Sequence, residues 1–212
     1  MFPLGDENPY NLTPIVTWGL LVVNILVFLW ELITPLSLMR IVYTYGFIPA
    51  LGFNIRLLTS MFLHADIVHL AGNMVYLWVF GDNVEDACGH LRFLLFYLLS
   101  GVSGSVALFF IEPTSPTPAI GASGAVSGLL GAYILLYPRA RIRTLVLGFL
   151  SVRVIRLPAF ILIGFWFLLQ FYYGVSGVVS GVAYWAHIGG FIAGFLFIPI
   201  FATRRRRRSH WA

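Results

Sequence analysis

Six stretches of this chain are apolar for longer than the elements of a soluble protein, and they decide what it can fold into. The first, Ile15 to about Ile33, is nineteen residues long. A helix needs about 20 residues, at ~1.5 Å each, to cross the ~30 Å of a bilayer's hydrocarbon. Further runs extend from about Met61 to Phe80, Leu91 to Ile111, Ser123 to Tyr137, Pro158 to Tyr173 and Trp185 to Phe201. A backbone in lipid must satisfy its own polar groups, and a helix does so within one segment. The expected fold is all-α: a polytopic membrane protein with six transmembrane helices. Charged residues make up 10% of the chain and the mean hydropathy is +0.90, against roughly 25% charged in a soluble domain.

The remaining segments are connections. Residues 1–14 form a short polar lead, without the basic n-region or cleavage site of a signal peptide. Residues 34–58, with Pro35, Gly46, Pro49 and Gly52, make a long non-spanning insertion, and loops of this length usually carry function or lie in the interface. Thr144 to Ser151 is too short to cross and belongs in the interface. The Gly- and Ser-rich segment 174–184 reads as a mobile loop, and residues 202–212 as a basic tail. The whole, 1–212, is read as one domain.

All thirteen basic residues are arginine, and their distribution orients the chain. Eleven fall after the second, fourth and sixth spans, while the other connections hold only Arg40 and Arg56. Positive charge stays inside, so both termini are expected in the cytoplasm of a plasma or inner membrane. The run Arg204–Arg208 directly follows an apolar helix and suits anionic lipid, so nucleic acid is not expected as a partner. Cys88 is the sole cysteine, which excludes an internal disulfide and a Cys-rich metal site.

Polar groups within the spans are costly and mark function by default. Pro113, Pro116 and Pro118 precede Gly121–Tyr133, so Ser123 falls at a helix N-terminus, where unpartnered N–H groups and the positive dipole end favour an oxyanion. Ser123 lies 16 positions before Arg139 and His187 lies 17 before Arg204. Both therefore sit ~24–26 Å from the inner face at ~1.5 Å per residue. Parallel helices bearing them at one depth can pair hydroxyl with imidazole, a Ser–His dyad in which His187 is the base. None of the eight acids falls in the fourth or sixth span, so no third, acidic member is expected. His69 and Asn73 are four apart on one helix face, and both can donate to an oxyanion together with the Ser123 N–H. Alternatively, Gly124 and Gly128 could serve packing alone, and Gly190 and Gly194 form a matching small-xxx-small pair near His187. Ser127 is expected to pack or to bond to the helix backbone. His64 is expected at the interface. No H-E-x-x-H is present to bind zinc, and neither a metal nor a cofactor is expected.

Taken together, LLTSMFLHADIVHLAGNMVYLWVFGDNVEDACG, GASGAVSGLLGAY, PRARIR with the fifth span, and AHIGGFIAGF resemble the rhomboid intramembrane serine proteases over about residues 54–196. The resemblance implies Ser123 as nucleophile, His187 as base, and His69 and Asn73 as oxyanion residues. It further implies a compact bundle with a water-filled cavity open to the outside, a membrane-embedded loop after the first span, a cap before the sixth, and transmembrane proteins as substrates. Two positions depart from the family's pattern. Ile55-Arg56 stands where many members have Trp-Arg, and Ser127 where many place an aromatic ring against the histidine. The sequence thus leaves open what orients His187. Two other functions remain at this stage: a catalytically silent relative that binds membrane proteins, and a small transporter with His187 in a proton relay. The sequence gives no oligomeric state.

Overall fold

The computed structural model describes residues 2–147, 152–177 and 181–203. Along these run β1 (Phe2–Asp6), α1 (Ile15–Ile33), α2 (Leu38–Tyr45), α3 (Arg56–Thr59), α4 (Ile67–Cys88), α5 (His90–Ile111), α6 (Ser123–Leu136), β2 (Arg141–Leu147), β3 (Val152–Pro158), α7 (Ala159–Ser176) and α8 (Tyr184–Phe201). Among the described residues, four helices are long and apolar enough to cross a membrane: α1, α5, α7 and α8. α6 is apolar but has only 14 residues, or ~21 Å at ~1.5 Å each. It is also the centre of the molecule, with every residue from Gly124 to Tyr133 buried. A helix enclosed on all sides has no polar face to show, as its sequence, SGAVSGLLGAYILL, indicates.

Small residues set how closely the neighbours approach α6. A Cβ added to Gly128 would fall 2.4 Å from the Ser100 Cβ of α5, and one on Gly104 of α5 would fall 2.5 Å from the Ala186 carbonyl oxygen of α8. Only glycine permits these contacts. Such packing is the membrane protein's substitute for a hydrophobic driving force between helices.

The α4 helix starts later and ends later than its hydropathy suggests. Asp66 caps it, accepting a hydrogen bond from the His69 N–H at 2.8 Å. At the other end the helix runs on past Phe80, the expected end of the span, through Asp82, Glu85 and Asp86. The buried Glu85 carboxylate accepts from the N–H groups of Val16 and Thr17, at 3.0 and 2.8 Å, and from the Thr17 hydroxyl at 2.7 Å. It thereby satisfies orphan donors in the first turn of α1. Asp86 accepts from the Leu12 N–H at 2.8 Å. Gly89, at φ +78°, then ends the helix in a backbone conformation that suits glycine.

The all-α expectation needs one correction: β1, β2 and β3 form a three-stranded antiparallel sheet in that order. The polar lead supplies β1, and Thr144–Leu147 of the short interfacial stretch lie in β2, which pairs with β3 with Arg143 opposite Arg156, residues 148–151 lying outside the described residues. In RIRTLVL the side chains alternate, Ile142 and Thr144 buried and Arg141 and Arg143 exposed. That is a strand's period of two, which an overall hydropathy reading smooths away. The sheet is tied to the helices by Asp6, which accepts from the Tyr133 hydroxyl of α6 and, at 2.9 Å, from the Asn83 amide of α4. The basic run Arg204–Arg208 and part of the 174–184 loop lie outside the described residues.

Candidate active site

Ser123 is the first residue of α6 and His187 lies in the first turn of α8. The two helices meet at glycines just beyond these residues. A Cβ on Gly190 would lie 2.0 Å from the Gly124 carbonyl oxygen, and one on Gly194 would lie 2.0 Å from that of Gly128. All four expected packing glycines are therefore at this contact, though unequally. A Cβ on Gly124 itself would come no nearer than 3.5 Å to any neighbour, so what that position supplies is an accessible backbone.

The α4 helix completes the cluster. Gly121 has φ +116°, and a Cβ there would lie 2.7 Å from His69 Nε2 and 3.7 Å from Asn73 Nδ2. Two residues before Ser123, the chain thus passes directly beneath the face carrying His69 and Asn73. Its course is fixed by the Gly121 N–H, which donates to the Ser60 carbonyl at 2.9 Å. The insertion after α1 holds the same loop from its other side, since Phe47 and Ala119 exchange backbone hydrogen bonds at 3.0 and 2.7 Å. His69 Nδ1 accepts from the Ala65 N–H at 3.4 Å, which places the ring proton on Nε2, the nitrogen near Gly121. The Asn73 amide donates to the His69 carbonyl at 3.1 Å, leaving its second N–H for another acceptor.

His187 is oriented by residues the sequence reading passed over. Its Nδ1 lies 2.8 Å from Gln170 Oε1 on α7, an oxygen that can only accept. The Trp166 ring, one turn earlier on α7, lies 6.1 Å from the imidazole at 31°, and Tyr184 meets it edge-on at 6.4 Å. Ser127 has no part in this: its hydroxyl is buried and donates to the Ser123 carbonyl at 2.6 Å, bonding to the helix backbone as expected. The sequence signal for Gln170 is a lone amide in an otherwise apolar span.

His64, just before α4, packs inside the protein. It is fully buried, its backbone N–H donating to the Glu31 carboxylate at 3.2 Å and its ring against that of His69 at 5.1 Å. Beside His69 lies a cavity of about 360 Å³, lined by Glu112, Ser115 and Thr117 before α6 and by Tyr173, Tyr184 and Trp185 of α7 and α8. A smaller space of about 20 Å³ adjoins Ser123, between Ser60, Gly101, Ser105 and Ala186. It has room for roughly one water.

Membrane-length helices packed on a buried glycine-rich one, with His69 and Asn73 against the loop that enters it, define an integral multi-pass membrane protein. The chain belongs to the rhomboid family, whose rhomboid domain matches residues 52–204. It is similar to the rhomboid protease GluP of Bacillus subtilis, 42% identical over 66% of this chain and 24% of that one. The putative rhomboid protease YdcA of the same organism is 31% identical over 72% and 70% respectively. Mitochondrial rhomboid protein 1 of Saccharomyces cerevisiae is 29% identical over 92% of this chain and 55% of its own. The chain spans about a quarter of GluP and 41% of RHOMBOID-like protein 6 of Arabidopsis thaliana.

Proposed function

We propose that this chain is an intramembrane serine endopeptidase that cleaves transmembrane segments of other membrane proteins with a Ser123–His187 dyad. The observation that carries this reading is the glycine contact between α6 and α8. It holds the backbones that bear the two side chains at van der Waals distance, with the His69–Asn73 face of α4 beside them. The Ser123 hydroxyl attacks the scissile carbonyl while His187 Nε2 takes its proton and returns it to the leaving amine. The oxyanion is met by the Ser123 N–H, His69 Nε2–H and the Asn73 amide, each such donor being worth roughly 10²–10³ in rate. Water from the cavity beside His69 then hydrolyses the acyl-enzyme.

In this reading α4 and α6 join the four long helices as spans, both termini face the cytoplasm, and the cavity opens on the opposite side. A helical substrate must unwind to expose its amide, so small or helix-breaking residues around the cut are preferred. Entry is lateral, past α7, whose buried residues Ala159, Leu162 and Ile163 all lie in its first two turns. The test is cleavage of a single-span substrate by purified protein, beside Ser123→Ala and His187→Ala. Loss of cleavage in both folded variants is expected. Cleavage by either at the parent rate overturns the dyad, and a parent that binds the substrate without cutting it favours the silent membrane-binding relative.

A further inference from the structure

The dyad as described has no group of its own to set which imidazole nitrogen carries the proton. A general base facing Ser123 through Nε2 needs Nδ1 protonated, because the other tautomer puts hydrogen where the serine proton must go. On α6, Ser127, one turn from Ser123, is directed at the helix backbone, donating its hydroxyl to the Ser123 carbonyl. The acceptor comes instead from α7. Gln170 Oε1 stands 2.8 Å from His187 Nδ1, and Gln170 belongs to the one face of α7 that meets α8. On that face Phe167 stacks on Phe191 at 4.4 Å, and Tyr173 stacks on Tyr184 at 5.4 Å. The ring contacts fix where the glutamine stands, and the amide oxygen selects the tautomer.

We propose that Gln170 is the positioning residue of this site: it accepts the His187 Nδ1–H, holding the imidazole with Nε2 unprotonated and turned toward Ser123. The proposal rests on the protease reading for its consequence, while the hydrogen bond itself can be read without any turnover. No covalent step is added. The glutamine neither gives nor takes a proton, and acts only through the ring it holds.

Two substitutions separate orientation from packing. Gln170→Met keeps the length and bulk of the side chain and removes the acceptor, whereas Gln170→Glu keeps an acceptor and adds a charge. If Gln170 positions the base, Met lowers kcat about 10–100-fold, a part of the roughly 10²–10⁴-fold that a general base contributes, with KM unchanged, and Glu retains cleavage. If Gln170 only fills space, Met is silent and Glu is the damaging change, a result that overturns the proposal. The second readout is ¹⁵N NMR of histidine-labelled protein, with His187→Ala used to assign the His187 signals. The parent protein is expected to show a protonated Nδ1 and an unprotonated Nε2 at neutral pH, and Gln170→Met a mixture of tautomers. A parent spectrum with the proton on Nε2 overturns the proposal whether or not the protein cleaves anything. A protonated Nδ1 in a protein inert toward single-span substrates upholds the bond and counts against the protease reading alone.

Discussion

Gly190→Ala offers the sharpest test of how the site is built, because the structure fixes both the clash and its direction. The new Cβ would stand 2.0 Å from the Gly124 carbonyl oxygen, with the Gly124 carbonyl carbon and Cα at 2.9 and 3.2 Å. Carbon–oxygen contacts of this kind settle near 3.3 Å, so α8 must withdraw from α6 by ~1.3 Å. All three contacted atoms are backbone, and no rotamer change can relieve the overlap. The contact adjoins Ser123 and lies one turn from His187, so the withdrawal is delivered to the proposed dyad almost undiminished. Misplacement of reacting groups by ~1 Å costs about 10²-fold in rate, and overpacking costs about 1–3 kcal/mol in stability. The assay is kcat/KM on a single-span substrate, with thermal unfolding followed in parallel. The expected result is a loss of about 100-fold in a protein that still folds. Gly164→Ala on α7, where an added Cβ meets nothing within 4 Å, is expected to behave like the parent. Full activity in Gly190→Ala would refute the idea that the glycine contact sets the catalytic spacing.

Asn73→Ala is expected to lower kcat about 10²–10³-fold with little change in KM, since an oxyanion donor acts mainly on the transition state; a rise in KM alone would assign Asn73 to substrate binding instead. At the sheet, burial pushes the Asp6 carboxyl up from 3.8 to about 7, opposed by the Tyr133 hydroxyl it accepts from and reinforced by Asp82. The folded state therefore holds the Asp6 proton more tightly than the unfolded one, and the stability this gives is complete below pH ~4 and lost as pH rises through about 7. Amides of β1, corrected for intrinsic exchange, should be better protected at pH 5 than at pH 8, and Asp6→Asn should flatten the dependence. Equal protection at both pH values in the parent protein would contradict that linkage.

Periodicity and length carried most of the helical framework. The run at residues 15–33 became α1 with the same bounds, and the runs at 91–111 and 123–137 match α5 (His90–Ile111) and α6 (Ser123–Leu136) to within one residue at each end. Depth counting along two apolar runs put Ser123 and His187 at matching heights, and the glycines near both are what a close contact between their helices requires. Three features escaped for separate physical reasons. The strands were lost because alternation over seven residues was averaged into a hydropathy reading. The last turns of α4 fell outside the run ending at Phe80 because their acids look costly until Leu12, Val16 and Thr17 are seen to donate to them. Gln170 went unnoticed because orientation of a ring depends on a neighbour 17 positions away in sequence, and no spacing rule within one helix relates the two.

The most direct measurement is covalent capture of the nucleophile. A serine-directed phosphonate is incubated with the protein in lipid or detergent, and the modified peptide is identified by mass spectrometry. Modification at Ser123, abolished in His187→Ala and protected by a competing single-span substrate, is the expected result. A folded protein that takes up no label, or takes it up equally without His187, would contradict a Ser123–His187 dyad.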